Sequence, residues 1–97
     1  MKNYFELVKN EYQVFLNFMK AKYPMFHNSN FFFRDLQFGI LKYLENKGIK
    51  INNSEAEELA KKLSAYFEDS KIFIKVNSFG WRLNYPEFVT KIPGDPI

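Results

Sequence analysis

Three helices followed by a hairpin, an α+β fold, is what the chain predicts, with a short strand near 49–51 between the second and third helices. Three observations carry that prediction. Aromatic residues are 20% of the chain, with twelve Phe, six Tyr and one Trp, far more apolar surface than a disordered chain holds. Three segments repeat apolar residues at spacings of three and four, the period of a helix face. A fourth, KIFIKVNSFGWRLNYPEF at 71–88, alternates instead and carries a turn at its centre. Ninety-seven residues suit a single domain with one core. It divides into an N-terminal helix within 1–23, a core at 31–88 and an extended tail at 89–97.

The first helix is expected over 2–22. Phe5, Val8, Tyr12, Phe15 and Met19 form one stripe, and Leu7, Val14 and Phe18 a second beside it. The combined apolar arc spans roughly 200°, wider than the ~100° stripe a surface helix needs. Such a helix either sits between two layers or buries one stripe against another chain. Pro24 disfavours helix at Tyr23, and Asn28, Ser29 and Asn30 are N-cap candidates.

The second helix is expected over 31–47, with Phe33, Leu36, Ile40, Tyr43 and Leu44 facing inward. Phe31 and Phe38 point away from that face. Gly39 costs about 1 kcal/mol against Ala inside a helix, which suggests close approach by another helix. Gly48 fits a C′ stop. IKI at 49–51 is read as the short strand. Ser54 and Glu57 suit a capping box, and Ala56, Leu59, Ala60, Leu63, Tyr66 and Phe67 make the cleanest amphipathic pattern in the chain.

In the hairpin, Ile72, Ile74 and Val76 are expected inward, matched by Trp81, Leu83 and Tyr85 on the return strand. Gly80 supplies a positive φ at the NSFG turn. Pro86 ends the pairing, because it has no N–H for a ladder. Trp81 reads as a core anchor, with a partner hot spot as the alternative.

The segments DLQFGILKYLENKG, IKI, SEAEELAKKLSAYFEDSKIFIKV and WRLNYPEF, spanning 31–88, resemble the winged-helix superfamily in their order of elements. EAEELAKKL leading to YFEDSKIFIKV also looks like DEP domains, winged-helix modules used mainly for protein and membrane contacts. The chain departs from that pattern within 54–69, where a helix-turn-helix would place a turn, often with Gly. Ser64 is the one residue there that suits a break.

Several functions are excluded or disfavoured by residue type. Without cysteine there is no disulfide, thiolate zinc site or cysteine nucleophile. No GxxxxGK[ST], GxGxxG or HExxH motif occurs, and the single histidine, His27, suits a surface or capping role. No catalytic residue, metal or cofactor is expected. The apolar runs are too short for membrane insertion, and no signal-peptide core interrupts MKNYFELVKNEYQ, so a soluble cytoplasmic protein is the default.

Charge divides the remaining readings. The net charge is +3, yet residues 54–70 hold five acids and two bases, net −3. Glu55, Glu57 and Glu58 crowd the N-terminal turn that a recognition helix would offer to base edges. A protein partner, with a homodimer the simplest case, is therefore the first expectation, and its candidate interface is Leu7, Val14, Phe18, Phe31 and Phe38. Nucleic-acid binding is the second. Its candidate contacts are Lys71, Phe73, Lys75 and Arg82 on the hairpin, extended by Lys20, Lys22 and Arg34. Edge-strand cations also discourage aggregation, with no ligand involved.

Overall fold

A computed structural model describes residues 4–23 and 25–88. In chain order the elements are α1 (Tyr4–Asn10), α2 (Tyr12–Lys22), β1 (Asn30–Phe32), α3 (Phe33–Asn46), α4 (Asn53–Asp69), β2 (Phe73–Asn77) and β3 (Gly80–Leu83), followed by a 3-10 turn (Pro86–Phe88). The fold is α+β, and the three strands form one antiparallel sheet in the order β1-β3-β2. The expected tail at 89–97 and Pro24 lie outside the described residues.

The expected first helix is broken at Glu11, whose φ of −109° and ψ of 29° leave the helical region. Its N–H donates to both Leu7 and Val8 carbonyls, at 3.2 and 3.1 Å. Beyond the break the two halves take different neighbours, with α1 packed on α4 and α2 on α3. This accounts for most of the wide apolar arc: the segment lies against two helices, burying Val8, Phe15, Leu16 and Met19 and leaving Val14 exposed. Glu11 anchors the bend. Its Oε1 accepts from the Tyr43 hydroxyl at 2.6 Å and lies 2.9 Å from Lys47 Nζ.

Residues 28–32 correct the sequence reading most. Asn28, Ser29 and Asn30 do not cap a helix there. Ser29 Oγ accepts from the Phe26 N–H at 2.8 Å and donates to the Phe26 carbonyl at 2.7 Å, while Asn28 takes φ 71°. The chain then pairs with β3, Phe31 opposite Trp81 and Phe32 opposite Gly80. Helix α3 starts two residues later than expected, at Phe33. Asp35 Oδ2 accepts from the Phe32 N–H at 3.2 Å, satisfying a donor at the helix start.

Gly39 is where α2 and α3 meet closely, as expected: a Cβ there would run into the Met19 thioether. Gly48 ends α3's C-terminal turn at φ 80°, its N–H donating to the Glu45 carbonyl at 2.9 Å. IKI is a loop, not a strand, with Ile49 and Ile51 packed at the edge of the core. The position at the third strand is taken by β1 instead.

Helix α4 runs unbroken through Ser64, which is buried and donates from Oγ to the Lys61 carbonyl at 3.0 Å. Its capping box is two residues earlier than expected. Asn52 Oδ1 accepts from the Glu55 N–H at 2.8 Å, and Glu55 Oε1 accepts from the Asn52 N–H at 3.0 Å.

In the hairpin the inward residues of the return strand are as expected, though β3 ends at Leu83 rather than at Pro86, and the outgoing strand is inverted. Trp81, Leu83 and Tyr85 are buried. On β2, however, Phe73 is the inward residue at 2% exposure, Ile72 and Ile74 are half-buried, and Val76 is 56% exposed. The cause lies at the exit from α4, where Lys71 takes φ 66° and the Ile72 N–H returns to the Phe67 carbonyl at 2.9 Å. That places Phe73 opposite Leu83, over the helix. Gly80 does not supply a positive φ. Its role is clearance, since a Cβ there would lie 3.0 Å from the Phe31 carbonyl oxygen and 3.0 Å from the Phe32 ring.

The core lies between the sheet's inner face and the helices. Phe31, Phe73 and Trp81 stack with ring centroids 4.6 to 5.4 Å apart, and Phe67 of α4 meets Phe73 at 4.7 Å. Such pairs add roughly 0.5–1.5 kcal/mol each beyond their area burial. Among the described residues no helix is long and apolar enough to cross a membrane.

Candidate interaction surface

The expected interface residues separate by burial. Phe31 is 3% exposed, a correction that follows from its place on β1 rather than on a helix, where it packs inward with Trp81. Leu7 and Phe18 are half-buried against the core, Phe18 edge-on to Tyr43 at 5.4 Å. Val14 and Phe38 are exposed, on the adjacent helices α2 and α3.

The expected nucleic-acid contacts separate as well. Phe73 is in the core, which corrects its assignment to the outer face. Arg82 pairs with Ile74 and Asn30, whereas Lys75 pairs with Trp81. Directly opposed residues share a face of the sheet, so Lys75 is on the Trp81 side and Arg82 on the other. Lys71 sits at the base in its left-handed turn. Lys20 and Lys22 are placed over aromatic rings, of Phe88 at 4.8 Å and of Phe18 at 5.6 Å.

A different apolar surface is exposed at the hairpin tip. Phe79 is 73% exposed, Val76 56% and Phe32 54%. Phe32 and Val76 flank a depression over Gly80, and Phe32 with Phe79 lines a second beside Phe33, Arg34, Gln37 and Glu57. Local geometry explains why these three side chains project outward. Phe31 occupies the inner side of β1, so the next residue must point out. Phe79 lies in a turn closed by Asn77 Oδ1, which accepts from the Phe79 N–H at 2.9 Å. The Phe79 carbonyl in turn accepts from the Phe33 N–H at 2.8 Å, tying the turn to the start of α3. A bulge between Lys75 and Asn77 shifts the register beside Val76.

Sequence reasoning missed Phe32 and Phe79. Phe32 was hidden in the FFF run at 31–33, where helix and strand periods assign different exposed residues. Phe79 was legible in principle, because a large aromatic at the tip of a short turn has no sheet face to be buried against.

Titratable groups elsewhere serve the fold. The Tyr43 hydroxyl, then the Lys47 ammonium, hold the Glu11 carboxyl below its ordinary value of 4.5. Burial, with Glu11 adding to it, raises the Tyr43 phenol above 10. His27 is half-buried, with Nδ1 lacking a hydrogen-bond partner among the described residues. Nowhere among those residues do three His, Asp or Glu side chains gather where they could hold a metal ion. No family model, curated protein or solved structure matches the chain.

Proposed function

We propose that this chain is a non-catalytic interaction module that associates with proteins, copies of itself included, through the surface formed by Phe32, Val76 and Phe79. The observation that carries the reading is the exposure of these three large apolar side chains together at one end of the sheet. Contiguous exposed apolar groups with a polar rim mark interaction sites far more often than single exposed ones do. The order helix, strand, helix, helix and hairpin supports a winged-helix-like arrangement, with β1 as the third strand and the helix pair falling on α3 and α4.

Size-exclusion chromatography with light scattering, over a range of concentrations, tests self-association. A mass above the monomer that falls on Phe79→Ser supports it. A concentration-independent monomer removes self-association and leaves other proteins as the partners.

Nucleic-acid binding is the second reading, favoured by Arg82 on the sheet's exposed face with no ion-pair partner among the described residues. Against it stand the acidic start of α4 and the placement of Lys75 across the sheet from Arg82. Fluorescence anisotropy with labelled duplex and single-stranded DNA at about 50 to 200 mM salt separates the two. Micromolar binding that weakens steeply with salt and is lost in Arg82→Ala favours the second reading. No binding at the lowest salt retires it.

A further inference from the structure

We infer that the Phe32–Val76–Phe79 surface takes an extended, acidic protein segment, in which an apolar anchor is followed or preceded by a carboxylate two residues away. The inference rests on the interaction-module reading and adds the chemistry of the partner.

The polar groups around the surface fall into two kinds. Most are already engaged within the chain. Asp35 accepts from the Phe32 N–H, Asn77 accepts from the Phe79 N–H, and Gln37 donates to the Asn53 carbonyl at 3.2 Å. Glu57, the carboxylate lining the depression beside Phe79, lies 3.6 Å from Lys61 Nζ. Among the charged groups, the exposed residues Arg34 and Arg82 are the exception: neither makes an ion pair or side-chain hydrogen bond with the described residues. The charged groups here with no partner of their own among the described residues are therefore both cations. A guanidinium offers a planar fork of donors that matches a carboxylate with two parallel hydrogen bonds.

Geometry sets the spacing. The depression over Gly80, walled by Phe32 and Val76, has a volume of about 130 Å³. Small-molecule sites are typically ~300–1,000 Å³, so this one suits a single apolar side chain. Arg82 lies two residues along β3 from Gly80, on the same face, or about 7 Å away at the rise of a strand. In an extended partner, residues two apart also point the same way at about 7 Å. An apolar side chain over Gly80 thus brings the carboxylate two positions away to Arg82. Arg34, beside Phe79, offers a second cation to the same segment.

A nucleic acid strand fits this surface less well. Its phosphates repeat along the whole strand but would meet only two guanidiniums here, and Lys75 faces the other way.

The test is selection of random peptides displayed on phage against the full chain, followed by binding of the enriched peptides as labelled synthetic probes. Enriched peptides are expected to share an apolar residue with Asp or Glu two positions away. Their affinity should fall by about tenfold or more in Arg82→Glu and in Phe32→Ser, each checked for folding by circular dichroism, and should be unchanged in Val14→Ser on α2. Neutral or basic peptides that still require Phe32 and Phe79 would overturn the acidic partner while sparing the interaction reading. No enrichment, or binding indifferent to Phe32→Ser and Phe79→Ser, overturns both. Labelled single-stranded oligothymidylate that binds the parent chain, displaces the acidic peptide from it and no longer binds Arg82→Glu would assign the surface to nucleic acid and overturn the inference.

Discussion

The Trp81 indole N–H donates to Glu68 Oε2 at 2.7 Å, tying the central strand of the sheet to the last turn of α4. The ring is 4% exposed and stacks on Phe31 and Phe73, so its polar edge needs a partner. Trp81→Ala is expected to cost about 3–5 kcal/mol by chemical denaturation. Trp81→Phe keeps a ring and removes the donor, so a double-mutant cycle with Glu68→Ala should show a coupling of about 1–2 kcal/mol. A coupling near zero would mean that the pair positions nothing.

Gly39→Ala pits two effects against each other. Alanine gains about 1 kcal/mol of helix propensity. The new methyl, however, meets Met19, which is itself 1% exposed and has little room to move. Overpacking costs about 1–3 kcal/mol, so a net loss of stability is expected. Met19→Ala in the same chain should make the alanine favourable, which thermal denaturation of the three variants would reveal. A stabilised Gly39→Ala single variant would show that Met19 rotates aside.

The Glu11–Tyr43–Lys47 cluster gives the acid limb of the stability profile. Tyr43 first, then Lys47, lower the Glu11 pKa in the fold below its ordinary 4.5. The unfolded chain therefore binds the proton more tightly. The stability this group contributes is full above 4.5 and is lost as pH falls from there through the lowered value. Denaturation midpoints measured from about pH 6 to pH 3 should fall less steeply in Glu11→Gln than in the parent. Equal slopes would remove Glu11 from the acid transition.

Tyrosines give the opposite limb. Burial, then hydrogen bonding to Glu87, pushes the Tyr85 phenol up to about 12. Tyr43 is raised as well, by burial first and Glu11 next. A raised acid keeps its proton in the fold while the unfolded chain gives it up near 10. Stability is thus intact below 10 and is lost as pH rises from there toward 12. Phenolate absorbance should show late-titrating groups in the parent, and Tyr85→Phe should remove one of them while Tyr43 stays late. If all tyrosines titrate together while the chain stays folded, the phenols are not protected.

How much of this was legible in the sequence depends on what kind of signal each residue carried. Helices α3 and α4 were, because Leu36, Ile40 and Leu44 or Leu59, Leu63 and Phe67 repeat over enough turns to average out single ambiguities. The break at Glu11 was not, since it follows from α1 and α2 choosing different neighbours, a tertiary cause. Strand β1 has only three residues, two of them in the FFF run at 31–33, in which every period fits. The phase of β2 turned on one left-handed residue, Lys71, that nothing local demands. Because one residue of slip exchanges the faces of a strand, that single turn moved Phe73 from candidate ligand contact to core and separated Lys75 from Arg82.

The same sensitivity makes β1 directly testable, because neighbouring phenylalanines should respond in opposite ways. Phe31 is 3% exposed between Phe73 and Trp81, so Phe31→Ala should cost about 3–5 kcal/mol. Phe32 is 54% exposed on the other side of the strand, and Phe32→Ser should change stability by no more than about 0.5 kcal/mol. Were residues 31–47 a single helix, as their spacing first suggests, Phe31 would lie outside the core and its truncation would cost little. Urea denaturation of the two variants decides between these backbones. A large loss at Phe31 alone places it under the sheet, and with it the outward direction of Phe32 on which the interaction surface depends.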